Sequence, residues 1–560
     1  SKKLSFDPII TTVEGKDLFV RNIILHGNEI WTATEQGMLA YNEKSHSVRH
    51  YTYNPIDPFS ISDNPLYCLY KDREGGLWAG SYFGGLNYLP TTHPFFERFV
   101  PQGKGNGLYG RRTRGRGMDQ EDKIWIGTED GGLSYMNSTG ETFTHITASK
   151  LFPNVQSLCI DGNELWVGTF ASGIKIINTH TLQIVKEFKA DGQPGALHDN
   201  TIFSIARSPQ GKIYLGTIRG LCTYNPNTNT FIYDKHIPPV LVNDVHFDSH
   251  GNLWLATQTN GVFKYNNGRW TNFKVGKSGL TTDKILSIFE DHKGFIWVTT
   301  QGGGVCRFNF SSGQFVSLNQ GVLNKTATYF RMVEDENGVL WFSGYNGIVR
   351  YDPQCNDIST YTNRMMLLDN QFNYSSSLID KHGRIYFGSL NGIVRFSPSS
   401  LKKIQGVPRL IATDLYINNE YVDNFSVNTP LKENIVFTRN LSLGYNQNSF
   451  KLHVVPLSYS KQDLISLEYK LEGFDKEWQT MGSDFFVTYS NLPAGSYKLV
   501  VRMKDQYGKP YPGEYNLEIK VHPFFLLSFW AKMLYVILIA ILIWWIMRYW
   551  NNRTEKRRIL

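Results

Sequence analysis

The chain has 560 residues, of which 14% are aromatic, 41% hydrophobic and 19% charged, with 50 glycines; it has room for several domains and is too apolar to be disordered. Of its formal charge of +8, +5 falls after Phe529, where Lys532, Arg548, Arg553, Lys556, Arg557 and Arg558 face only Glu555, so +3 remains for everything before. No global basic field for nucleic acid results, and five cysteines without CxxC spacing argue against a disulfide or zinc framework.

The first element is a repeat. Trp31, Trp78, Trp125, Trp166, Tyr214, Trp254, Trp297, Trp341 and Tyr386 recur every 40 to 48 residues, each followed two positions later by a small residue and then by a turn glycine. Copies such as KIWIGTEDGGLSYMN from Lys123 and ELWVGTFASGIKIIN from Glu164 hold two strands around a glycine loop. An alternating run upstream and another downstream bring the unit to four strands, which is one propeller blade. A single blade cannot bury its faces, so blades stack around an axis. The aromatic is expected to fill the gap between neighbouring sheets, and the small residue to relieve crowding beside it.

Within this run, GNGLYGRRTRGRGMDQ from Gly105 places four arginines where other repeats carry an apolar strand. It reads as a solvated basic loop or as an anion site. Gly105, Gly107 and Gly110 match G-x-G-x-x-G, but no strand–turn–helix unit surrounds them, so no nucleotide and no other cofactor is expected. The Asp-x-x-Gly segments at Asp72, Asp248, Asp291, Asp335 and Asp380 lack the spacing of a calcium loop and read as turns, and no metal site is expected.

From about Leu401 to His522 the blade motif is absent. SFKLHVVPLSYS from Ser449, SLEYKLEGF from Ser466, SYKLVVRMKD from Ser496 and YNLEIKVHP from Tyr515 alternate apolar and polar residues between Gly and Pro turns, which predicts an immunoglobulin-like β-sandwich. From Phe524 to Met547 a run with Lys532 as its single charge is long enough to span a bilayer. Trp530 at one margin, Trp544, Trp545, Tyr549 and Trp550 at the other, and the basic RYWNNRTEKRR beyond place the C-terminus in the cytoplasm by the positive-inside rule.

EYKLEGFDKEWQT and VTYSNLPAGSYKLVVRMKDQYG, ahead of a membrane span, resemble the Y_Y_Y domain, with Tyr469, Tyr489 and Tyr497 as its tyrosines, and the LWxGTxxGGLxxY copies resemble the regulator-propeller repeat. In that order they resemble the periplasmic sensor region of hybrid two-component regulators of the Bacteroidetes type. The resemblance implies two seven-bladed propellers, a Y_Y_Y domain and one membrane helix, followed by a kinase, a receiver and a DNA-binding domain. The chain is therefore expected to be all-β apart from one helix and to be a piece of a longer protein. Residues 1–100 would hold the last two blades of a first propeller, 101–400 a complete seven-bladed propeller, 401–522 the Y_Y_Y sandwich, 523–550 the transmembrane helix and 551–560 the start of the cytoplasmic region. A single nine-bladed ring is the alternative.

Residues 1–522 are then expected in the periplasm, anchored to the inner membrane by a single pass. The expected function is detection of polysaccharide-derived oligosaccharides, acidic ones if the arginine run takes part, with a homodimer through the ectodomain signalling to a kinase outside this chain. No nucleic acid and no catalysis by this chain are expected; the alternatives are a noncatalytic surface glycan binder and a propeller glycosidase or lyase. Propellers place variable residues in the loops joining second to third strands and blade to blade. The candidates there are Tyr82, Phe83, Tyr109, Arg111, Arg112, Arg114, Arg116, Arg219, Tyr329, Arg331, Tyr345, Asn346 and Tyr374, because rings stack on sugar faces and guanidinium forks bind carboxylate or sulfate.

Overall fold

The computed structural model describes residues 9–559 apart from 14, 56, 58, 91–95, 102–106, 138–141, 147–152, 319–326, 363–366, 402–407, 460–464, 483, 505–509 and 528. Gly105, part of the glycine pattern above, lies outside the described residues. Two compact units divide the chain, Ser1–Ile404 and Gln405–Leu560.

Seven four-stranded antiparallel sheets form a ring in the first unit. The innermost strands of blades 1 to 7 are Thr113–Met118, Val155–Asp161, Ile202–Arg207, Val242–Phe247, Ile285–Glu290, Tyr329–Glu334 and Phe372–Ile379. Each lies beside the next, and that of blade 7 lies beside that of blade 1. Blade 7 takes its outermost strand from before the ring: Glu97–Phe99 pairs with Ile393–Phe396, and Arg395 bonds Glu97 across the joint. This closing strand falls within the stretch that the sequence assigns to the two preceding blades; three residues without a repeat motif give it no signature. Ahead of the ring lie those two blades, one built from Val20–His26, Glu29–Thr34, Gly37–Asn42 and Val48–Tyr51, the other from Leu66–Lys71, Leu77–Ser81 and Leu86–Leu89.

The repeat residues explain the blades. Trp166 packs with Ile174 and Ile176 of its own blade against Ile202, Ile205 and Leu215 of the next, and Trp254 bridges blades 4 and 5 in the same way. Trp125, Trp254, Trp341 and Tyr386 are fully buried. The small residue two along answers to the following blade: a Cβ on Gly127 would sit 2.2 Å from Cγ1 of Val155, so a larger side chain would push the blades apart.

Two further positions do work that the sequence reading left unassigned. The Asp that opens the turn between first and second strands accepts the N–H or O–H of the repeat aromatic six residues on: Asp72 from Trp78, Asp248 from Trp254, Asp291 from Trp297, Asp335 from Trp341 and Asp380 from Tyr386 in Asp-x-x-Gly turns, and Asp119 from Trp125 in a turn where Asp122 stands in the glycine position, at 2.8–3.0 Å. Its other oxygen accepts backbone N–H groups of the turn, as Asp248 does from His250 and Asn252. The Thr of the GT dipeptide closes the second hairpin by donating to the turn glycine carbonyl, as Thr128 does to Gly132, Thr169 to Gly173 and Thr217 to Gly220. The turns are thus bolts between strand ends and interblade aromatics.

In the second unit a four-stranded sheet, ordered Glu420–Val422, Arg409–Ile417, Phe450–Leu457, Phe486–Tyr489, accompanies a five-stranded one, ordered Asn440–Leu443, Pro510–Val521, Gly495–Lys504, Ser466–Glu472, Gln479–Thr480. Asn440–Leu443 runs parallel to Pro510–Val521. Their alternating apolar residues share one core, from Leu410 and Leu452 on one sheet to Leu467, Leu499 and Leu517 on the other, as in a β-sandwich. A helix, Phe529–Ile559, follows; its segment Phe529–Thr554 is 26 residues long, apolar and unburied, about 39 Å at 1.5 Å per residue, which exceeds the ~30 Å of a bilayer core. It starts six residues later than the sequence places it, because Phe525–Leu527 forms a separate 3₁₀ turn.

Candidate functional site

Every innermost strand of the ring carries a register shift just after its first residue. Such bulges re-aim the side chains beside them. In blade 4 the re-aimed residue is Asp244, buried, which accepts from Ser204 of blade 3 and from the backbone N–H of Ile288 of blade 5. Arg331 of blade 6 donates to both its oxygens, Nη1 to Oδ2 at 2.8 Å and Nη2 to Oδ1 at 3.0 Å. Blades 4 and 6 are not neighbours, so this forked pair spans the inner side of the ring. Arg331, a candidate ligand residue by position, is only partly exposed there and spends its fork on Asp244.

Blades 1, 6 and 7 assemble the densest group of candidates. Glu129, on the loop after the second strand of blade 1, accepts from Nε of Arg114 at 2.5 Å and from Nδ2 of Asn373 at 3.3 Å, and lies 3.8 Å from Nη1 of Arg112. The Arg114 guanidinium sits 5.0 Å over the Tyr374 ring. Tyr374 and Tyr345 both meet the buried Phe330 edge-on, at 4.7 and 4.8 Å. Burial, with the Tyr345 hydroxyl beside it, pushes the Tyr374 phenol up to about 12 against the opposing charge of Arg114, so it is a neutral donor at physiological pH. Asp130 points away from Glu129 and accepts the backbone N–H groups of Arg111 and Arg112. Around this rim the guanidinium groups of Arg112 and Arg114 face Glu129, and Asp130 stands on the backbone of Arg111 and Arg112, which leaves a weaker positive field than the arginine run suggests by itself.

Arg112, Arg114, Tyr345 and Tyr374 therefore come together, with Asn346 exposed beside Tyr345 and Arg111 exposed beside Arg112. Tyr109 is exposed at the blade 1 edge, its ring 4.8 Å from His145. Arg219 is exposed on blade 3, 4.0 Å from Asp199. Tyr329 is core, buried against Phe342, and Arg116 is buried between blades 7 and 1. Tyr82 and Phe83 stand on the blade pair, Tyr82 stacked on Tyr67 at 5.2 Å and Phe83 at its edge. The sequence reading missed Phe330 as the base of the site. A signal was present: Tyr329 and Phe330 are adjacent in a strand, so only one can face the blade core. Among the described residues no group of three or more His, Cys, Asp or Glu could hold a metal ion.

The second unit joins sandwich to helix through short contacts. The backbone N–H of His522 donates to Leu443, its Nε2 lies 2.9 Å from Oγ of Ser442, and Phe524 meets the Tyr445 ring at 4.8 Å. Tyr469, Tyr489 and Tyr497 gather around one turn: the Tyr489 hydroxyl donates to Asp475, Tyr469 donates to Gln479, and Tyr497 donates to the carbonyl of Pro493. Phe474 meets both Tyr489 and Tyr497 edge-on.

The Y_Y_Y domain family matches residues 458–522, and the two component regulator propeller family matches residues 60–83 and 279–302. Histidine kinase P4 of Formosa agariphila is 24% identical over 410 residues, 70% of this chain and 30% of that protein, so the chain spans less than a third of this curated relative. The extracellular domain of the hybrid two component system BT3049 from B. thetaiotaomicron has the same fold, with a TM-score of 0.71 at 22% identity over 91% of this chain and 74% of that one. The extracellular domain of the one component system BT4673 from the same organism gives 0.45 at 21% identity, over 90% and 70%. The chain thus carries regulator-propeller repeats and a Y_Y_Y domain. More particularly, it resembles the sensor region of a hybrid two-component regulator, with one membrane-length helix at its end.

Proposed function

We propose that the chain is the ligand-sensing and membrane-spanning part of a hybrid two-component histidine kinase, that residues 1–522 lie in the periplasm, and that it detects oligosaccharides released from polysaccharides. The observation that carries this reading is the group of Tyr345, Tyr374, Arg112, Arg114 and Asn346 on one rim of the ring, in a chain whose sandwich leads into a membrane-length helix. Tyrosine rings offer faces to the C–H side of a sugar, and the exposed Asn346 offers a donor and an acceptor to its hydroxyls. Arg112, loosely paired at 3.8 Å and 62% exposed, is the group free to take a carboxylate or sulfate.

Catalysis is not part of the proposal. Glycosidases flank the scissile bond with two free carboxyl groups, whereas Glu129 is committed to Arg114 and Asp130 to backbone donors. In the mechanism we propose, ligand binding favours one arrangement of a homodimer and the clasp at His522 and Phe524 passes the change to the helix. A ligand shifts that equilibrium only by its differential affinity for the two arrangements.

The test is thermal unfolding of the full chain in detergent micelles against neutral, uronic and sulfated oligosaccharides. A ligand at about 100 times its Kd stabilises by roughly 2.7 kcal/mol, a rise of a few degrees. The rise is expected with at least one oligosaccharide and is expected to be lost in Tyr374→Ala and reduced in Arg112→Ala. Unchanged midpoints across the panel would reject the reading.

A further inference from the structure

The seam between blades 7 and 1 differs from the other six. In each blade two residues of the innermost strand face the preceding blade. One opposes the end of the second strand and the other its middle. In blades 2 to 6 they are Val155 and Leu158, Ile202 and Ile205, Val242 and Val245, Ile285 and Ile288, Tyr329 and Met332, and in blade 7 Phe372 and Ser377. In blade 1 they are Thr113 and Arg116. Thr113 is satisfied, donating across the seam to the carbonyl of Gly392. Arg116 is not: it is 9% exposed, and Nε, Nη1 and Nη2 are all buried without a hydrogen-bond partner among the described residues.

Among the described residues its surroundings offer no counter-charge. The guanidinium lies against Gly388, where a Cβ would come within 2.5 Å of Nη2. Ser376 spends its hydroxyl on the carbonyls of Asn373 and Gly388. The nearby carboxylates are taken, Glu129 by Arg114 and Asn373, and Asp380 by Arg384 and Tyr386. Burial pushes the Arg116 guanidinium down to about 9, with only Tyr386 acting in the other direction; at neutral pH it remains a cation. A buried charge without a partner is costly, and an aliphatic residue fills this slot in five other blades, so sterics do not require arginine here.

We propose that Arg116 forms a buried site for a small monovalent inorganic anion, chloride in practice, in the seam where the ring closes. The anion supplies the missing counter-charge and accepts from the two N–H groups that one edge of the planar guanidinium presents, so stability of the ring depends on halide. This site is separate from the oligosaccharide rim and rests on the ring alone; either can fail without the other.

The experiment is thermal unfolding of the full chain in detergent micelles, in sodium chloride and in sodium gluconate at equal ionic strength. The wild-type midpoint is expected to stand a few degrees higher in chloride and to saturate with its concentration, whereas Arg116→Met, which places the residue of blade 6 in this slot, is expected to give the same midpoint in both salts. A wild-type midpoint indifferent to the anion, or a chloride effect that survives in Arg116→Met, would overturn the proposal. Crystals grown in sodium bromide give a readout that needs no variant: an anomalous peak at the guanidinium supports the site, and a flat map there rejects it.

Discussion

Ile23 and Ile205 occupy the same slot of the same repeat, opposite the middle of the second strand of their blades. Ile205, in the ring, is 8% exposed; Ile23, in the blade pair, is 63% exposed, together with Leu25 on the same strand. Leu69, the equivalent residue of the second blade of the pair, is 8% exposed because the first blade covers it. The repeat therefore specifies a blade, whereas burial of its face is specified by whatever stands before it. Local pattern and neighbour make separate contributions, and the ring supplies a neighbour to all seven.

The largest effect that would sharpen this contrast is loss of a fully enclosed interblade aromatic. Trp254→Ala is expected to cost about 3–5 kcal/mol, read as a fall in the denaturant midpoint of the full chain in micelles; Trp78→Ala in the pair, where the indole is only half-buried, is expected to cost clearly less. Next comes the shared slot: Ile205→Ala is expected to cost about 2–5 kcal/mol.

Asp248→Asn follows. Its two oxygens accept four hydrogen bonds, from Trp254, the Asn252 side chain and the backbone of His250 and Asn252. An amide would turn its NH₂ toward two of those donors, at a cost of about 1.5–3 kcal/mol. Burial raises the Asp248 carboxyl, but the donated bonds outweigh it and hold it below the ordinary 3.8. Its stabilisation is therefore complete above pH 3.8 and is lost as pH falls through the lower folded value. Acid titration of the unfolding midpoint is expected to show a shallower fall in the variant. The smallest effect is Ile23→Ala, expected within about 0.5 kcal/mol of wild type; a cost equal to that of Ile205→Ala would break the comparison and mean that the face of Ile23 is covered in solution.

Legibility in the sequence followed the same division. The period of the aromatics, the small residue and the turn glycine are local, and each predicted a blade correctly. Alternation predicted the sandwich for the same reason. The Asp of each turn was visible but read only as a turn residue, because its bond to the indole six positions on needs the strand geometry to be noticed. Arg331 was expected to face ligand; its partner Asp244 lies 87 residues away, beyond any local pattern. The arginine run was read as one patch, yet strand alternation and a bulge send Arg112 outward, Arg114 onto Tyr374 and Arg116 into the seam.

The strand Glu97–Phe99 has a consequence in time. Glu97 and Arg395 meet across the closing joint at a separation of 298 residues, so at a synthesis rate of roughly 5–20 residues per second the second partner leaves the ribosome roughly 15–60 s after the first. Blades 1 to 6 can assemble in that interval, but closure waits for the last of the ring to emerge. Nascent chains stalled before Ile393 are accordingly expected to be cut by protease in the strands on either side of the seam, and chains stalled well after Phe396 to resist.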